Sequence, residues 1–198
     1  MRVLIATMNE GKLREYERLL ADVPNLELET MTALDLRVEV DEDQDTFEGN
    51  ACKKATEIAA AASVACLADD SGLEVDALAG RPGVYSARYS GPGATDARNN
   101  ARLLQELANV PDARRTARFR CAIAVVDANG ELLAEADGAC EGRIAHEPRG
   151  SHGFGYDPIF VPDGYGQTMA ELGPETKNRI SHRAQPAAAL DPQLRDRG

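Results

Sequence analysis

Cysteine and histidine are scarce in this chain, and neither shows a metal-binding pattern. The four cysteines, Cys52, Cys66, Cys121 and Cys140, include no C-x-x-C pair. Each sits among small or apolar residues, so they are expected to be reduced core thiols rather than a disulfide framework or zinc site. The three histidines, His146, His152 and His182, lack metal-ligand spacing. No apolar run approaches the length of a membrane span, and the start MRVLIATMNE turns polar too soon for a secretory signal. A soluble, cytoplasmic protein with no membrane partner is expected. No Pro/Gly/Ser-rich linker divides the 198 residues, so one domain over 1–198, two-lobed, is expected. Positive charge is also short: 22 Lys and Arg face 33 Asp and Glu, a net charge of −11. That argues against a nucleic acid polymer or an anionic membrane as partner. An anionic ligand would need its cationic contacts concentrated at one place.

The most informative stretch is Val64–Ser90. Its apolar start, Val64 to Ala68, reads as a buried strand that stops at Asp69-Asp70-Ser71-Gly72. Carboxylates at the carboxyl end of a strand lie where open α/β sheets bind ligands, a place for a metal or a general base. The same four residues are ordinary turn chemistry, so both readings stand.

Other segments add cations and glycine. Arg2–Thr7 reads as a strand and Lys12–Ala21 as a helix, with Leu13, Tyr16, Leu19 and Leu20 at helical spacing. Between them Thr7-Met8-Asn9-Glu10-Gly11-Lys12 has the strand–loop–helix form that holds phosphate on backbone N–H groups, or that of a plain turn. It is not a Walker loop, because Ala6 holds the first glycine position and Leu13 follows the lysine. Leu26–Thr30 and Leu36–Val40 read as short strands, followed by the acidic segment Asp41–Asp45. Asp45 and Glu48 form a plausible capping pair for a helix over Thr46–Ala62. These carboxylates exceed what capping needs, and one is a candidate to share a hard divalent cation with Asp70. Thr95–Leu107 reads as a helix, and Arg118–Asp127 with Glu131–Cys140 as a hairpin turning on Asn129-Gly130. Pro148–Pro162 is glycine-rich and carries Phe154, Tyr156 and Asp157, suited to close approach and base stacking or to ordinary packing. Pro174 starts a short helix bearing Lys177, Arg179, His182 and Arg183, a basic cluster fit for an anion or a carbonyl-bearing base, or a solvated face.

Six motifs, in order, resemble the inosine triphosphate pyrophosphatase family: T-x-N-x-G-K at Thr7–Lys12, D-T-F-E-G-N-A at Asp45–Ala51, L-A-D-D-S-G-L-E-V-D-A-L at Leu67–Leu78, P-G-V-Y-S-A-R-Y at Pro82–Tyr89, G-F-G-Y-D-P-I-F at Gly153–Phe160 and K-N-R-I-S-H-R at Lys177–Arg183. The resemblance implies an α/β fold with a long central mixed sheet flanked by helices, two lobes with an active-site groove between them, and a homodimer. It implies Mg²⁺-dependent hydrolysis of ITP, dITP or XTP to the monophosphate and pyrophosphate. By motif position, Asp70 matches the general base and a metal ligand, and Glu42 the second metal carboxylate. Thr7, Met8, Asn9, Glu10, Gly11, Lys12, Lys54, Ser71 and Lys177 match the phosphate contacts. Phe154, Gly155, Tyr156, Asp157, His182 and Arg183 match the base pocket, with His182 and Arg183 donating to the purine 6-carbonyl. Met8 departs from the pattern where a small or polar residue is usual and is expected to turn away from the phosphates and pack locally. His152 and Ala184 are lesser departures.

Three other readings compete. A haloacid-dehalogenase-type phosphatase needs D-x-D-x-T, which Asp69–Leu73 lacks. A nucleotide-binding regulator would not need Glu42 or Asp70. A Maf-like nucleotide pyrophosphatase would lack the S-H-R motif.

Overall fold

The computed structural model describes residues 1–195. Strand β1, Arg2–Ile5, buries Val3, Leu4 and Ile5 and lies parallel to β2, Glu27–Thr30. Helix α1, Glu10–Leu19, follows β1 across the Thr7–Lys12 loop. No strand forms over 36–40. That segment alternates as a strand should, but it pairs with no strand of the sheet, and alternation without a pairing partner does not make a strand. Helix α2 spans Phe47–Ala62, and its cap is Thr46, whose hydroxyl accepts from Gly49 N at 3.0 Å, not Asp45.

Strand β3 corrects the sequence reading most sharply. It runs from Ala65 to Val75, parallel to β1, so Asp69, Asp70, Ser71 and Gly72 lie within a strand and not beyond its end. Both aspartates are buried, a position that acidic side chains hold only with polar partners. Those partners come from residues distant in sequence, which local patterning does not show.

Helix α3, Asp96–Glu106, is capped by Thr95. Strands β4, Thr116–Val126, and β5, Leu132–Ile144, form the expected hairpin, both longer than read. Their loop is three residues wide: Gly130 N bonds Asp127 O, Asp127 N bonds Glu131 O, and Gly130 takes φ 87°. This is a type I turn closed by a glycine bulge, so Asn129-Gly130 does not act as a two-residue turn. Strand β6, Phe160–Pro162, pairs antiparallel with β5. Helix α4, Met169–Ile180, breaks its helical angles at Gly173, so that Pro174 does begin a new helical segment. Helix α5 covers Ala184–Arg195. The six strands make one mixed sheet in the order β2-β1-β3-β4-β5-β6, flanked by helices.

Two compact units divide the chain, each with its own core. The first comprises, of the described residues, 1–70, 121–138 and 183–195, and packs Val3, Ile5, Tyr16, Leu67, Ile123, Val125 and Leu190. The second comprises 71–120 and 139–182, and packs Leu73, Val75, Leu103, Phe119, Tyr156 and Phe160. Cys66, Cys121 and Cys140 are buried and all four cysteines are free, but Cys52 is exposed and not the core thiol expected. Burial pushes the Cys66 and Cys121 thiols up to about 12, which leaves them unreactive. Among the described residues, no helix is long and apolar enough to cross a membrane.

Candidate active site

In the first unit the acidic β3 residues meet three cations. Asp69 Oδ2 lies 2.9 Å from Lys12 Nζ and 3.3 Å from Arg183 Nε. Arg183 Nη1 continues to Glu15 at 2.9 Å. Lys54 donates to the Asp69 carbonyl at 2.9 Å and pairs with Glu42 Oε1. Asp70 Oδ2 accepts from Asn50 Nδ2 at 2.9 Å, and Asn50 in turn is tied by its Oδ1 to Gln44 N. Helix α2 thus carries Asn50 and Lys54 on one face, four residues apart, toward two adjacent β3 residues.

The two aspartates therefore differ. Asp69 is balanced by Lys12 and Arg183. Asp70 is pushed up to about 6, first by burial and then by the nearby Glu42 carboxylate, against the opposing pull of Asn50, Lys12 and Lys54. Burial pulls Lys54 down, but Asp69, Glu42 and Asp70 outweigh it and hold the ammonium above its ordinary value. Arg183 is held fully charged in the same way, with Asp69 and Glu15 overcoming burial.

A carboxylate whose proton affinity is raised by a second carboxylate is a suitable hard-cation ligand, since a metal ion would relieve the repulsion. Lys54, seated on Glu42, already places one positive charge at this spot. The donors Glu42 and Asp70 therefore fit a divalent cation. Among the described residues no group of three His, Cys, Asp or Glu is arranged as a metal cage. Two carboxylates suit a cation that takes its remaining ligands from water and phosphate.

The Thr7–Lys12 loop is more committed than its sequence suggests. Asn9 Oδ1 accepts from Gly11 N at 2.8 Å and Lys12 N at 3.1 Å, and Thr7 Oγ1 from Asn9 N at 3.1 Å. Those helix-start N–H groups are capped by the protein itself. What the loop offers an anion is the helix dipole and Lys12. Glu10 faces outward and pairs with Arg14. Met8 is 67% exposed, not packed locally as expected; it lines an open cavity with Met31, Leu36 and Val38 that leaves its side chain uncovered.

In the second unit Lys177 meets the glycine-rich loop. Its Nζ lies 2.6 Å from Asp157 Oδ2 and 4.4 Å from the centroid of the half-buried Phe154 ring. Asp157 Oδ2 also accepts from Phe154 N at 2.9 Å. A Cβ at Gly153 would lie 2.0 Å from that oxygen, and Gly153 takes φ +79°, so glycine is required there on both counts. Lys177, matched to the phosphates by motif, is thus placed with two base-pocket candidates. Tyr156 is core: its hydroxyl donates to Ser86 O at 2.8 Å. His182 stacks on Phe119 with centroids 4.7 Å apart. His182 and Arg183 are each 3% exposed, so neither presents an open donor. Ser71, next to Asp70 on β3, is half-buried.

Sequence reasoning missed several participants. Asp96 Oδ2 accepts from Gly155 N at 2.7 Å, and Asn100 donates to Gly155 O at 3.0 Å, so α3 holds both peptide groups of that loop residue. Their i, i+4 spacing on α3 was the available signal. Asn50 stood inside the D-T-F-E-G-N-A motif without being singled out, and Glu15 gave no signal of its own, being an ordinary polar residue on an amphipathic helix.

Nearly the whole chain is similar to known proteins. A model of the Ham1 family matches residues 3–193. A dITP/XTP pyrophosphatase of Geobacter sulfurreducens is 50% identical over 193 residues, 98% of this chain and 96% of that protein. One from Shouchella clausii is 48% identical over 188 residues, 95% and 93% of the two chains. The solved structure of a HAM1 protein from Coxiella burnetii superposes with a TM-score of 0.88 at 40% identity, covering 99% of both chains. That of a nucleoside-triphosphatase / dITP/XTP pyrophosphatase from Mycobacterium abscessus gives 0.76 at 47% identity, covering 98% of this chain and all of that one. With the mixed sheet and nearly the whole length accounted for, the chain belongs to the Ham1 family.

Proposed function

We propose that this protein is a nucleoside triphosphate pyrophosphatase that hydrolyses non-canonical purine nucleoside triphosphates, ITP, dITP and XTP, to the monophosphate and pyrophosphate. The observation that carries the reading is Asp70: a buried carboxylate near pH 6, beside Glu42 and within the field of Lys12 and Lys54. A general base works best with a pKa near the working pH, and burial supplies that shift here. The names of the similar proteins support the substrate class.

In the proposed mechanism Asp70 takes the proton from a water attacking the α-phosphorus, and Asn50, by holding Oδ2, fixes the carboxylate's orientation. Lys12 and Lys54 supply positive charge toward the triphosphate, where negative charge builds on the departing pyrophosphate. A Mg²⁺ ion, when held by Glu42 and Asp70, would neutralise phosphate charge and help align the group. Phe154 offers a stacking face for the base, a contact that supplies affinity without choosing among bases. Lys177, fixed by Asp157 and over that ring, sets the electrostatics on one side of it. The 6-carbonyl of hypoxanthine or xanthine, against the 6-amino group of adenine, is the proposed basis of selection, with His182 and Arg183 as donors. Both are buried, and two nitrogens of Arg183 are held by Asp69 and Glu15, so this role needs a local rearrangement when the base binds.

The whole chain is proposed to act as one catalytic domain, as a homodimer, in the cytoplasm. Pyrophosphate release, measured over ITP, dITP, XTP, GTP and ATP with and without Mg²⁺, tests the central reading. ITP or XTP should be preferred over ATP, with rates lost on chelation. Equal rates on all five, or release of inorganic phosphate alone, would overturn it.

A further inference from the structure

The second unit holds a cavity of about 270 Å³ that none of the candidate active-site residues lines. Its charged lining is Arg115, Arg143, His146 and Arg149 against Asp112 and Glu147, a net positive surface in a chain of net charge −11. Arg115 is 2% exposed and donates through Nε to Ile144 O at 2.9 Å, Nη1 to Leu107 O at 2.7 Å and Nη2 to Ala145 O at 2.8 Å. Carbonyl dipoles satisfy these donors but do not neutralise the charge, and burial outweighs the pull of the nearby Asp112 carboxylate, so the cation remains under-compensated. The adjacent acid, Asp112, is turned to His146 Nε2 at 2.6 Å. Arg149 is only loosely held, 3.7 Å from Glu171 Oε2 and 3.4 Å from Gly166 O. Among the described residues the Arg143 side chain makes no close ion pair or hydrogen bond, and only the more distant Asp112 carboxylate acts on it. Its backbone is fixed opposite Val161 by the β5–β6 pairing, so the guanidinium is carried on a rigid strand.

We propose that this cavity is an anion site that takes a small phosphate-class oxyanion, inorganic phosphate or pyrophosphate, on Arg143 and His146 against the fixed charge of Arg115. Arginine's planar fork suits such oxygens in bidentate contact. The volume lies below that of ordinary cavities for drug-sized ligands, which favours a small anion over a nucleotide. The proposal does not depend on the reaction assigned above. Pyrophosphate would make it a product site, and phosphate a general anion site.

Titrating the full-length chain with phosphate, and separately with pyrophosphate, while following backbone amide NMR shifts without divalent metal, tests this. Saturable shifts at residues 143–149 are expected. Arg143→Ala should weaken them about tenfold, as for loss of one charged hydrogen-bonding group. Lys12→Ala should leave them unchanged, and ITP turnover should be the same in Arg143→Ala and wild type. The tighter of the two anions identifies the source. Equal shifts from chloride at matched ionic strength, shifts at 143–149 that survive Arg143→Ala, or shifts that appear only at residues 7–12 would each overturn the proposal.

Discussion

The first unit buries Asp69 and Asp70 side by side and answers them with Lys12, Lys54 and Arg183, whereas the second buries Asp157 against one base, Lys177, and locks both to a loop held by backbone contacts. In the first unit the balance is incomplete at Asp70, whose proton affinity is raised. In the second, Asp157 is tied to an ammonium, a peptide N–H and a glycine turn, an arrangement that fixes shape. Under the proposed mechanism, the contrast separates a place that accepts charge and moves a proton from one that presents a surface. Substitutions in the two should therefore fail differently, the first in turnover and the second in affinity.

The largest effect should be that of Asp70→Asn. The amide cannot take the water's proton, so kcat should fall by about 10²–10⁴-fold with nucleotide affinity largely kept. The fold should become more stable at the same time. The folded value near 6 lies above the ordinary 3.8, so ionised Asp70 disfavours the fold. Its favourable contribution is complete below the ordinary value and is lost as pH rises through about 6. At neutral pH the substitution should thus add on the order of 1–3 kcal/mol in chemical denaturation, an advantage that vanishes in acid. A variant that loses turnover and stability together would show that Asp70 is held as a structural carboxylate.

Asp69→Asn should show the opposite pattern. It leaves Arg183 and Lys12 short of a carboxylate in a buried network, at a cost of about 3 kcal/mol in stability. Turnover of the folded enzyme should fall less than for Asp70→Asn. A greater loss of kcat in Asp69→Asn than in Asp70→Asn, assayed at saturating Mg²⁺, would exchange the two roles.

Gly153→Ala sharpens the comparison from the other side. The added methyl collides with Asp157 Oδ2 and forces a non-glycine residue to φ +79°. KM for ITP should rise by about tenfold, reflecting roughly 1–2 kcal/mol of backbone strain, with kcat nearly kept. An effect on kcat alone would mean that this loop serves chemistry and not binding. Without divalent metal, Asp70 followed by carboxyl NMR should titrate with a midpoint about 6, Gly153→Ala should leave that midpoint in place, and Mg²⁺ should lower it because a bound cation favours the ionised form. A metal-free midpoint at the ordinary carboxylate position would remove the shift on which the assignment of Asp70 as base rests. The smallest change should be Met8→Gly, which alters an exposed side chain and should shift kcat/KM by less than about threefold, because surface substitutions are usually within ±0.5 kcal/mol.

By itself the sequence determined most element types, though not the absence of a strand over 36–40, and with them the hairpin, the new helical segment at Pro174 and the family, because these depend on periodicity, turn chemistry and motifs whose information is local. It also singled out Asp70, Glu42, Lys12 and Lys54 by residue type and motif position. Only the tertiary structure decided that β3 continues through Asp69 and Asp70, since a buried acidic pair in a strand is allowed only by partners from α1, α2 and Arg183 just before α5. It alone placed Lys177 over Phe154, tied Arg183 to Glu15 and Asp69, and gave Gly155 its contacts from Asp96 and Asn100. The difference has one physical cause. A side chain's backbone conformation is set mainly by its neighbours in sequence, but its charge state and its partners are set by whatever the fold brings within a few ångströms of it.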